Sequence, residues 1–127
     1  MIGMHRGLAE PACPTGLKST TVAELLFGRT MRGRLGVTEA KWARFLATEV
    51  TPRFPDGLTV YDAKGQWREP GGQRIARERS KVLMIILPGR ADDQERLIQV
   101  IRAYKTQFQQ KSVGLVLRPS CVSFDAG

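Results

Sequence analysis

The chain has 127 residues, 42% hydrophobic and 25% charged, which fits one globular domain with a single core and excludes a two-domain, fibrous or disordered protein. Its formal net charge of +8 favours an anionic partner without naming one, and Lys and Arg spread over a solvated surface are the plainer explanation. The longest aliphatic run, Val82 to Leu87, is far shorter than the roughly 18 apolar residues of a membrane-spanning helix, so no transmembrane segment is expected.

Residues 1–21 hold Gly, Pro, Ser and Thr without apolar periodicity, which predicts an extended N-terminal arm ahead of a domain over 22–127. The first dozen residues contain no secretory apolar stretch, which leaves a cytoplasmic protein or one whose export signal is missing. Val22 to Thr30 (VAELLFGRT) reads as a first strand, and MRGRLGV as a loop. Thr38 is a plausible N-cap, after which Trp42, Phe45, Leu46 and Val50 recur at helical spacing. Pro52 and Pro55 stop that helix. Asp56-Gly57 then turns the chain into LTVYDAKGQW, a second strand ending near Trp67.

The polar stretch REPGGQRIARER leads into SKVLMIILPG, whose apolar centre predicts a strand buried on both faces. Asp92 and Glu95 have the spacing of a capping box, and Leu97, Ile98, Ile101, Tyr104 and Phe108 mark a second amphipathic helix. SVGLVLRPSCVSF reads as a fourth strand, which Pro119 forces to an edge. The order β-α-β-β-α-β is that of a ferredoxin-like α+β fold: a four-stranded antiparallel sheet, order 4-1-3-2, with both helices on one face by right-handed crossovers. The helices can cover only one face. The other predicts a homodimer through the open sheet face, using Leu26 and alternate residues of Val82 to Leu87, unless the arm covers them.

The segments TPRFPDGLTVYDAKGQW, RERSKVLMIIL and the closing CVSF resemble the bacterial family called domain of unknown function 3574. The likeness runs from Ala23 to Phe124 through Phe27-Gly28, Trp42 with Phe45, Thr51 to Thr59, Gly65-Gln66-Trp67, Ser80-Lys81 and Tyr104-Lys105. It supports the fold and supplies no catalytic residues. Members of the family look exported or lipid-anchored, which implies a periplasmic or extracellular setting, whereas this chain has no lipobox before Cys13.

One histidine, His5, and two cysteines far apart cannot make a local zinc site, so neither a metal nor a cofactor is expected. Histidine-based catalysis fails for the same reason. Gly71-Gly72 joins two strands rather than opening a helix, so it is no phosphate loop. Nucleic acid is the less favoured partner, because the third strand offers SKVLMIIL where stacking aromatics belong. Gln66, Trp67, Arg79, Ser80 and Lys81 flank one two-strand connection and are expected to meet, making a candidate site for an anionic or aromatic small molecule. Arg53 and Asp56 form a second candidate pair, with an ion-paired turn as the plainer account. Two function classes follow. The preferred one is a non-catalytic ligand-binding or protein-interaction module; the other is an enzyme of the dimeric ferredoxin-like type in which Tyr61, Arg79 or Tyr104 handles protons.

In the expected fold the end of strand four lies beside the start of strand one. Cys13 precedes Val22 by nine residues, enough extended chain at roughly 3.3 Å each to reach Cys121. A Cys13–Cys121 disulfide is therefore expected, the alternative being two free thiols in a reducing cytosol.

Overall fold

The computed structural model describes residues 12–126; residues 1–11, which hold most of the expected arm and His5, lie outside the described residues. The elements are β1 (Lys18–Gly28), β2 (Thr30–Met31), β3 (Arg34–Leu35), α1 (Glu39–Phe45), β4 (Thr59–Arg68), β5 (Ile75–Ile86), α2 (Asp93–Phe108) and β6 (Gly114–Val122). The helical path of α1 continues through Leu46–Val50 in a wider turn, where the Thr51 N–H donates to the Leu46 carbonyl at 2.9 Å. The four long strands form one antiparallel sheet ordered β4-β5-β1-β6. The domain is α+β, with a four-stranded antiparallel sheet and two helices.

β1 begins at Lys18, so residues 18–21, assigned to the arm from the sequence, pair with Pro119–Val122 of β6. The strand ends at Gly28 rather than Thr30. MRGRLGV is not a plain loop: β2 and β3 form a hairpin whose turn residues Arg32 and Gly33 have φ of 52° and 77°, two successive left-handed residues of the kind a two-residue hairpin needs.

Thr38 caps α1 as expected, its Oγ1 accepting from the Lys41 N–H at 3.2 Å. At α2 neither aspartate caps the helix with its side chain. Asp92 makes no cap bond and pairs with Arg96 at 2.9 Å, while the buried Asp93 accepts from the N–H groups of Gly89 and Arg90 at 2.9 and 3.1 Å. Gly89, at φ 87°, makes the left-handed turn in the loop that Asp93 reaches back to hold.

Side chains alternate along each strand. Ala23, Leu25 and Phe27 of β1 and Leu83 and Ile85 of β5 share the face that packs on α1 and α2, and all are buried. Phe27, Trp42, Phe45, Tyr104 and Phe108 form one aromatic cluster there, with ring centroids 4.5–6.2 Å apart. The Tyr104 hydroxyl donates to the Gly28 carbonyl, so its one polar atom is satisfied inside the core. On the other face Leu26, Tyr61, Trp67 and Val116 remain exposed. Cys13 is bonded to Cys121 with their Cα atoms 5.5 Å apart, which clamps the chain ahead of β1 onto the far edge of the sheet.

Candidate functional site

The β4–β5 register decides where the expected ligand residues point. Trp67 stands opposite Ala76, Gly65 opposite Glu78, Ala63 opposite Ser80, and Asp62 opposite Lys81. Paired residues share a face and neighbours along a strand do not. Trp67 and Ser80 therefore lie on the open face, whereas Gln66, Arg79 and Lys81 have the parity of the helix side. The five do not form one cluster. Arg53 and Asp56 lie elsewhere, in the connection from α1 to β4. Arg53 donates to Glu49 Oε1 at 3.0 Å and to Gln99 Oε1 at 3.0 Å, so its partners are helical residues rather than Asp56, and it fastens the end of α1 to α2.

The open-face members border a groove of about 580 Å³, with Ser80 at its lining and the half-exposed Trp67 as a wall; Gln66 touches its rim from the opposite parity. Small residues make its floor. A side chain at Gly28 would overlap Glu78 Oε1 at 2.0 Å, and one at Gly65 would come 3.1 Å from Ser80 Oγ, so Gly28 makes room for the Glu78 carboxylate and Gly65 for Ser80. The end of α2 closes the far side. Gln110 donates to the Thr30 carbonyl at 2.8 Å, and Glu78 accepts the Thr30 N–H at 3.2 Å. The hydrogen bonds of Thr30 thus hold the groove's lip to both β5 and the α2 terminus.

Two polar constellations escaped the sequence reading. On the helix side Lys81, almost fully buried, donates to Asp62 and to Glu39 (2.8 Å), while Arg29 pairs with Glu39 at 3.0 Å. A lysine heading the apolar run KVLMII was the signal, because a buried ammonium requires partners. The hydrogen bond from Lys81 holds both Glu39 and Asp62 below the usual carboxylate range. Burial pulls Lys81 down, but its bonds to Asp62 and Glu39 outweigh this and leave it above the usual lysine value.

The two lowered carboxylates contribute stability that is full above their unfolded value of about 4 and is lost as pH falls through their folded values. Raised Lys81 contributes fully below about 10.4 and loses its share as pH rises through its folded value. The urea midpoint is therefore expected to fall on both sides of a neutral plateau, and Lys81→Met to make both limbs shallower. Identical pH profiles for the two proteins would contradict the network.

On the open face the Tyr61 hydroxyl donates to Glu24 Oε2 at 2.9 Å and Arg118 binds Glu24 Oε1 at 2.7 Å. The bond to Glu24 raises Tyr61 above its ordinary value, which makes it a poorer acid. Tyr104 is also raised, by burial, and with its hydroxyl bound to Gly28 it is a core residue rather than a proton carrier. Among the described residues no three His, Cys, Asp or Glu side chains are grouped to hold a metal ion, and no helix is long and apolar enough to cross a membrane.

A four-stranded antiparallel sheet with two helices is a scaffold shared with solved structures. A phage SAM lyase in complex with S-methyl-5′-thioadenosine superposes with a TM-score of 0.63 at 15% identity, over 98% of this chain and 99% of that one. A phage SAM lyase in the apo state gives 0.61 at 14%, over 84% and 91%. At such identities the likeness is one of fold. No curated protein matches the chain. Residues 22–124 match the family described as protein of unknown function (DUF3574), and the chain belongs to that family.

Proposed function

We propose that the protein is a ferredoxin-like small-ligand-binding module that holds an organic molecule with a flat ring in the groove beside Trp67 and associates with a second copy through its open sheet face. The observation that carries the reading is the groove itself. Its volume of about 580 Å³ falls within the range of small-molecule sites, which pair an apolar or aromatic wall with a few polar groups. Trp67 supplies the wall, and Ser80 supplies a polar group. The disulfide suits an oxidising compartment, and the reading puts the module there.

Charge supports the pairing of copies. The charged residues on the open face of the long strands are Lys18, Glu24, Glu78 and Arg118, which sum to zero, although the chain carries +8. Two such faces can meet without the repulsion that other surfaces would impose.

A catalytic reading is favoured by one finding, the fold shared with a phage SAM lyase. Calorimetric titration with S-methyl-5′-thioadenosine tests the binding site, and incubation with SAM tests for turnover. Saturable binding is expected, with Trp67→Ala weakening it about tenfold, as removal of a stacking aromatic does. Trp67 is half-exposed, so the variant should keep its fold. An affinity unchanged by Trp67→Ala, or a flat wild-type titration, overturns the proposed ring site. Steady consumption of SAM would select the enzyme.

A further inference from the structure

Four arginines converge on a second concavity. Between the β2–β3 hairpin and the start of β5 lies a groove of about 730 Å³ lined by Arg34 on one wall and by Arg74, Arg77 and Arg79 on the other. Elsewhere Arg29, Arg53, Arg96 and Arg118 each face a carboxylate at ion-pair distance. These four do not: among the described residues none is ion-paired and none donates a side-chain hydrogen bond, although Arg79 lies near enough to Asp62 to help hold its carboxyl low. Two glutamates, Glu69 and Glu78, border the groove, and one oxygen of Glu78 is already engaged by the Thr30 N–H. Four positive and two negative side chains leave the lining at +2.

Like charges crowded into a concavity repel one another, and an anion placed among them relieves that repulsion while satisfying the planar donor forks of the guanidinium groups. A single carboxylate would leave most of the forks empty, so the matching ligand carries several negative charges close together. The hairpin on one side and the β4–β5 ribbon on the other give the site two walls, which fits a compact molecule better than a flat membrane. The half-exposed Leu35 and Ile75 offer apolar surface to whatever bears the charges.

We infer that this groove is an anion site for a small polyphosphate compound. It does not depend on the ring site beside Trp67, although the two grooves meet at Thr30, Glu69 and Glu78.

Calorimetry with inorganic tripolyphosphate at low salt tests the inference on the intact protein. One saturable site is expected. The double variant Arg74→Ala/Arg77→Ala should weaken it by about tenfold or more, and Arg74→Lys/Arg77→Lys, which keeps the charge but loses the forks, should weaken it less. Arg44→Ala/Arg102→Ala removes the same charge from the exposed surface of the helices and should leave affinity within about twofold; an equal loss there would reduce the effect to net charge and overturn the site. Circular dichroism confirms that each variant is folded. Absence of tripolyphosphate binding overturns the inference, as does an arginine-dependent interaction found only with phosphatidylserine vesicles or only with a single-stranded oligonucleotide. Trp67→Ala is expected to leave tripolyphosphate affinity unchanged, so failure of the ring site and failure of this one can be told apart.

Discussion

Replacing Cys13 and Cys121 together by serine is expected to lower the unfolding free energy by about 4 to 5 kcal/mol, the chain-entropy value for a loop of this length. The bond spans 108 positions, most of the chain, so its loss frees a large loop of the unfolded chain. A domain of this size has roughly 5–15 kcal/mol to lose. Urea titrations of the double variant, and of the wild type with and without reductant, should agree on the drop. A wild-type midpoint indifferent to reductant would mean that the bridge does not stabilise the protein through the unfolded chain.

Leu26→Arg is expected to dissociate the proposed dimer, raising its dissociation constant about a hundredfold or more. Leu26 is 44% exposed at the centre of the open face, so the single chain should tolerate the change. In a twofold assembly the substitution counts twice: each copy loses the burial of a leucine, about 1.5–3 kcal/mol, and brings a cation into the interface. Light scattering should give twice the 14.1 kDa chain mass for the wild type and the single-chain mass for the variant. A wild type that stays monomeric over the whole concentration range would remove the self-association from the functional reading.

Long apolar segments announced themselves in the sequence. The run from Val82 to Leu87 declared an interior strand, Thr38 marked where α1 starts, and Trp42 with Phe45 gave its buried face. Short-range geometry was harder to read. The β2–β3 hairpin has two residues per strand, and its turn uses Arg32-Gly33 rather than the Asn-Gly or Asp-Gly that signals such turns. Asp92 sits at the cap position, but its carboxylate goes to Arg96 while Asp93 reaches back to the loop. At the site, Gln66 and Trp67 could have been assigned to opposite faces by parity alone, but which face Arg79 and Lys81 join depends on a pairing register that composition does not encode. Glu24 was visible as a lone acid within AELLF. Its partners Tyr61 and Arg118 lie 37 and 94 positions away, a distance only the folded sheet closes.

Pairing between β1 and β5 stops at Gly28 and Ser80, so the first residues of β5 have a ladder partner only in β4 and continue as a two-stranded ribbon. An uncovered strand edge of that kind is a template on which another chain can grow a sheet. Arg74, Arg77 and Arg79 flank it, so a second copy arriving edge-on would set its own arginines against these. Their mutual repulsion works against edge-to-edge pairing of copies, which insulates the ribbon from runaway β-polymerisation.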